Sequence, residues 1–226
     1  MVAINLCLFI SVNYDLLENT IFTVDQIGRS SFTIPYIDGG TSISRSARTY
    51  PAYLIFKPGM LITAILLIQY WLANNKFFQS FSEEGNSKKM NFVFFGVGSA
   101  IFLIAHSIFL GISYENDLYK FFRRFILLGF IIFEIIAQTL LVIKMIKVKK
   151  NIEFLINKKI LRLKIILVSV LIIVAFLVAP ILNSQDYTHF KHALEWNYFF
   201  GVISFYLLTF LFWKKNKPSV HTPEGV

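Results

Sequence analysis

Five stretches of the chain, Pro51–Leu72, Phe92–Ile112, Phe125–Ile143, Ile165–Asn183 and Trp196–Trp213, are almost wholly apolar. Each is about long enough to cross a bilayer, since a spanning helix needs ~20 apolar residues across ~30 Å of hydrocarbon. A segment apolar on every side has no face to offer water, so a soluble globule is excluded. Composition agrees: only 15% of residues are charged, against about a quarter in a soluble domain. The sequence therefore predicts an all-α, polytopic transmembrane helix bundle.

Met1–Tyr14 is apolar but short, and lacks the basic start and small-residue cleavage site of a signal peptide. It is expected to be a first span with a truncated start, which makes six spans; a short helix dipping into the membrane is the alternative. Residues 1–213 are then one bundle domain with a long loop at 15–50, and 214–226 form a flexible tail. Pro58-Gly59 predicts a kink in the second span or a start one turn later. Gly96, Ser99 and Ala100 give the third span a small-residue face for close packing.

The net charge of +9 invites a nucleic-acid reading. The distribution of the charge argues against it. Lys and Arg gather in short loops, 14 of them in segments 73–91, 144–164 and 214–226, against 7 in segments 15–50, 113–124 and 184–195. The more basic side is expected to be cytoplasmic, with the C-terminus on it. Ile152, Leu155, Ile156 and Ile160 in the basic stretch hint at an amphipathic surface helix. Trp71, Trp196 and Trp213 lie at span ends, as aromatic belt residues do. The single cysteine, Cys7, excludes an intramolecular disulfide and a cysteine metal cage.

Three polar groups are candidates for chemistry. Thr41–Arg48 is dense in hydroxyls and guanidinium groups, with Ser42, Ser44, Arg45 and Arg48 suited to a phosphate or lipid headgroup; a helix cap with solvated charges is the plain alternative. Glu134 falls at the middle of a span, with Gln138 one turn on. An ionised acid there is unfavourable, so it must face a partner or a cavity. His106 lies about one turn nearer the surface, so a Glu134–His106 pair is doubtful. The third group is Asp186, His189, His192 and Glu195, whose spacing allows a common face if the last helix begins early. It is not the H-E-x-x-H of zinc proteases, because Phe190 stands where the glutamate would be. No metal or other cofactor is expected.

The order of these parts, with Ser42-Ile43-Ser44 and Pro51 before the second span and His192-Ala193-Leu194-Glu195-Trp196 before the last, resembles a six-helix membrane family. That family includes the damage-regulated autophagy modulators, the factors for post-GPI-attachment lipid remodelling, and the N-terminal domain of a yeast cell-wall-biogenesis protein. The chain departs from it in its short first span and in Arg123-Arg124, where a histidine would be expected. The resemblance implies a non-catalytic role in remodelling or organising membrane lipids or lipid anchors, with Ser42, Ser44, Pro51, Glu195 and Trp196 as matching positions. An intramembrane hydrolase or acyltransferase, using Ser42 or Ser44 with His189 or His192, is the alternative. A proton-coupled transporter centred on Glu134 is a second. Membrane lipids are the expected partners, a membrane protein or a second copy of the chain is left open, and nucleic acid is not expected.

Overall fold

In a computed structural model of the chain, the described residues are 1–17, 20–22, 31–48, 50–80, 92–111, 117–152, 156–182 and 186–213. They form helices α1 (Val2–Val12), α2 (Ile43–Ser46), α3 (Ala52–Gln79), α4 (Phe92–Phe109), α5 (Asp117–Ile152), α6 (Lys158–Leu182) and α7 (Thr188–Phe212), with a 3-10 turn at Tyr14–Leu17 after α1. Helices α3, α4, α5, α6 and α7 are each long and apolar enough to cross a membrane. Helix α1 has 11 residues, about 16 Å at ~1.5 Å per residue, roughly half of the hydrocarbon layer. The molecule is thus a multi-span helical bundle with one short helix at its start.

Neighbours in sequence pack together. The α4–α5 contact is the most extensive, followed by α3–α4 and α6–α7. Small residues set the closest approaches, as expected of helices that associate by packing rather than by hydrophobic exclusion. A Cβ on Gly96 would overlap the Trp71 indole of α3, and one on Gly98 would crowd the Phe133 ring of α5. Helix α1 lies on α3 in the same manner, with Ala3 against Gly59. Helices α3 and α7 meet through Tyr70, whose ring centroid is 4.9 Å from that of Tyr206. Outward-facing Leu66, Ile173, Phe176 and Phe210 are exposed, as lipid-facing side chains should be.

Helices α3, α5, α6 and α7 run longer than the sequence expectation, while α4 ends earlier, at Phe109. The polar segments continue the spans. Helix α5 starts at Asp117 and runs to Ile152, and α6 starts at Lys158. Most of the supposed basic loop therefore extends two spanning helices and is not a surface helix. Lys and Arg are good helix formers, and their long stems let the charge reach the interface from a helix end. Ile156, expected on that surface helix, is buried and pairs antiparallel with Trp213. This bridge ties the residues just before α6 to the end of α7. Helix α3 begins before Pro58 and runs through it, so the later start is excluded.

The tryptophans also correct the belt reading. Trp71 and Trp196 are fully buried, and only Trp213 has an exposed ring. Their polar edges are used, or left over, inside the protein. The expected tail lies outside the described residues.

Candidate functional site

The long loop and the last helix meet, and the meeting is built from backbone. Helix α7 begins at Thr188, about two turns before the apolar run. His192, Glu195 and Trp196 are therefore helical and face one neighbour. Residues 31–48 lie across them. Asn197 Nδ2 donates to Tyr36 O at 2.7 Å, His192 Nδ1 is 3.0 Å from Gly39 O, and Trp196 Nε1 donates to Thr41 O at 2.9 Å. Tyr36 stacks edge-on against Trp196. Gly39 has a φ of +61° and touches the His189 carbonyl so closely that a Cβ would overlap it.

The next residues form a cap. Ser42 Oγ accepts the Arg45 N–H at 3.1 Å as the N-cap of α2. The Glu195 carboxylate accepts the backbone N–H groups of Ser44 and Ile43, so a side chain of α7 closes the start of α2. An acceptor at a helix N-terminus satisfies orphan donors and meets the positive end of the dipole. Upstream, the Asp38 carboxylate accepts from Thr33 Oγ1 and from the N–H groups of Gly40 and Ile34. These bonds, the Thr33 hydroxyl foremost, hold it below the ordinary aspartate range.

Beside this junction lies a cavity of about 410 Å³, within the ~300–1,000 Å³ usual for small-molecule sites. Its walls are apolar, mostly leucine, isoleucine and phenylalanine, with α5 giving the largest share and the other helices the rest. Ser44, Lys191, His192 and Glu195 line its polar part near the α7 N-terminus, and His106 and Glu134 line it further along. Arg45 and Arg123 both lie close enough to Arg48 to act on its charge. Burial first, then repulsion from Arg123 and Arg45, pushes the Arg48 guanidinium below its ordinary value. The buried Nε of Arg48 has no hydrogen-bond partner among the described residues.

Glu134 is fully buried. Gln138 Nε2 donates to its Oε1 and Ser99 Oγ lies against its Oε2, both at 2.8 Å. The Tyr206 hydroxyl of α7 donates to Oε1 as well. The Gln138 bond is the one expected from the i, i+4 spacing. His106 does not reach the acid; its ring packs edge-on to Phe56. Ser42 and Ser44 are 3.4 Å apart, and no hydrogen bond among the described residues joins either to His189 or His192. Among the described residues no group of three His, Cys, Asp or Glu side chains gathers as metal ligands.

Several residues of the site went unread in the sequence. The sequence pattern marks Ser99 only as a packing residue and does not single out Tyr206, Tyr198 or Asn197. Lys164, counted as a loop charge, is fully buried. Its ammonium donates to Thr209 and lies 4.0 Å from the Phe205 ring centroid. A usable signal was present in Tyr206 and Thr209, polar groups three apart inside an apolar run. No protein-family model, curated protein or solved structure matches the chain. Fold and site together define a multi-pass membrane protein with a half-open, mostly apolar cavity that carries a few polar groups.

Proposed function

We propose that this protein binds an anionic amphipathic lipid and serves, without catalysis of its own, in the organisation or remodelling of membrane lipids. The reading rests on an apolar cavity of about 410 Å³ whose polar end carries the Lys191 side chain with Ser44, His192 and Glu195. Arg45, Arg48 and Arg123 offer guanidinium groups that suit phosphate oxygens in pairs. The buried, unpartnered Nε of Arg48 is a donor awaiting an acceptor. Ser44 and His192 add polar contacts at the rim, and the leucine and isoleucine walls suit an acyl chain. Charge asymmetry along the sequence favours placing this end on the side away from the cytoplasm. The resemblance of the Ser42-Ile43-Ser44 and His192–Trp196 segments to a lipid-remodelling family points the same way.

Mass spectrometry of lipids retained by the purified protein tests the proposal. Wild type is expected to retain phosphate-bearing lipids above their share of the membrane. Arg48→Ala and Arg45→Ala are expected to lose that enrichment while staying monodisperse. Equal lipid profiles in wild type and both variants would count against a headgroup site there. A hydrolase would instead show labelling of Ser42 or Ser44 by a fluorophosphonate probe.

A further inference from the structure

We propose that Glu134 and Tyr206 form a proton-exchange site that joins two cavities and passes protons between the two ends of the bundle. The first cavity is the one already described, which Glu134 lines. A second, more open pocket of about 430 Å³ lies toward the C-terminal end of α7, where Tyr70, Asn74, Tyr206 and Thr209 share the wall with Ala73, Phe77, Phe210 and Trp213. Glu134 belongs to one wall and Tyr206 to the other, and the two side chains are hydrogen-bonded. A single polar contact therefore connects the two spaces.

The acid is built to exist with and without its proton. Ser99 Oγ is 2.8 Å from the Gly96 carbonyl and 2.8 Å from Glu134 Oε2, yet a hydroxyl has one hydrogen. When Glu134 is ionised, Ser99 donates to it, and Oε1 takes Gln138 and Tyr206. When Glu134 is neutral, its Oε2–H donates to Ser99, which turns its own hydrogen to Gly96. Rotation of one hydroxyl satisfies both states, so neither leaves a buried orphan. A merely structural acid needs only one of them.

Unpartnered polar atoms lie around the contact. Among the described residues the buried Tyr198 hydroxyl, Gln138 Oε1 and Trp71 Nε1 have no hydrogen-bond partner. Gln138 is one turn from Glu134, and Trp71 packs on Tyr206 with ring centroids 6.3 Å apart. Tyr198 lines the first cavity. Buried orphans are uncommon, and a cluster of them marks a place for water or a polar guest. The groups that face the pair are Ser99 of α4, Gln138 of α5, Tyr70 of α3 and Tyr198 of α7; His106 of α4 lines the same cavity without reaching the acid. The Lys164 ammonium of α6 lies beyond Thr209, which bonds Tyr70 at 3.0 Å.

A hydronium ion in the second cavity gives a proton to the Tyr206 oxygen as the phenol's own hydrogen moves to Oε1 of ionised Glu134. The carboxyl group turns so that its new O–H faces Ser99 instead of Tyr206, and the neutral acid then releases one proton to water in the first cavity and becomes ionised again. The phenol turns its new hydrogen back toward Oε1. One proton enters and one leaves, and the reverse direction runs through the same atoms.

The test uses the full chain in liposomes loaded with a pH-sensitive dye, with a potassium gradient and valinomycin imposing the potential. Wild type is expected to admit protons faster than protein-free liposomes. Glu134→Gln and Tyr206→Phe, both nearly isosteric, are expected to fall to the protein-free rate. Thr139→Val, which alters a hydroxyl bonded only to its own helix at Ile135, is expected to keep the wild-type rate. Wild-type flux equal to the protein-free rate would overturn the proposal, and so would unchanged flux in both variants. Should the variants fail to fold, infrared difference spectra of wild type across a pH titration decide. A carboxylic C=O band that never changes would refute proton exchange. Bound-lipid profiles have no part in these readouts, so the lipid reading and the proton reading fail separately.

Discussion

Replacing Gly39 by alanine is expected to lift the 31–48 segment off α7. Two effects act on the docked state. An L-residue at φ +61° carries a left-handed penalty of ~1–2 kcal/mol. The new methyl would also overlap the His189 carbonyl, and backbone on both sides leaves no rotamer to relieve it. Opposing them is what docking contributes. Three hydrogen bonds, at His192, Trp196 and Asn197, are worth about 1 kcal/mol each, so about 3 kcal/mol together. Strain and overlap act together against these bonds and shift the segment toward its open state, although the Glu195 cap and the Tyr36–Trp196 contact also hold it. An opening equilibrium shifted by about 3 kcal/mol is a change of roughly 10²-fold. Thr41→Cys is a suitable reporter, because Thr41 is buried and its hydroxyl has no partner among the described residues. Native Cys7 is fully buried and stays silent. When reclosing is fast, maleimide labelling follows the open population. Labelling of Thr41→Cys should therefore accelerate by roughly 10²-fold in the Gly39→Ala background. An unchanged rate would refute the docking of this segment through Gly39.

Gly96→Ala pushes a methyl into the Trp71 indole and should destabilise the α3–α4 packing by ~1–3 kcal/mol; an unaltered melting temperature in detergent would refute the close approach. Asp38 predicts a pH dependence. Its folded-state pKa is lowered, the Thr33 hydroxyl being the largest cause. Its contribution is therefore fully present above the unfolded value of ~3.9 and is lost as pH falls through the lower folded value. Hydrogen exchange of the Ile34 and Gly40 amides should stay slow down to that range and speed up below it. Asp38→Asn should show the fast exchange at neutral pH.

Much of this site was legible in part. Glu134 with Gln138 could be read because i, i+4 residues share a helical face whatever surrounds them. The pairing of residues 36–44 with 192–197 was expected only as a shared side of the membrane, since sidedness follows from charge and contact does not. Trp71 and Trp196 misled because a tryptophan at a span end is ordinarily amphipathic and interfacial. Here Trp71 is covered by α4 at Gly96 and Trp196 by Tyr36, neighbours that hydropathy does not register. Lys164 misled for the same reason. Helix α6 starts early enough to carry it inward, where Thr209, Phe205 and Phe212 receive it.

By itself the sequence determined that this chain crosses a membrane several times. The unfavourable exposure of backbone polar groups in hydrocarbon requires helices, and five apolar runs of sufficient length supply them. Only the tertiary structure decided how each helix is turned about its axis. In lipid an apolar helix has no polar face to orient it, so rotation is set by packing, by small residues against rings and by hydrogen bonds such as those of Ser99, Tyr206 and Lys164. That rotation put Glu134 in one cavity wall and Tyr206 in the other, and it turned the last helix so that His192, Glu195 and Trp196 hold the loop.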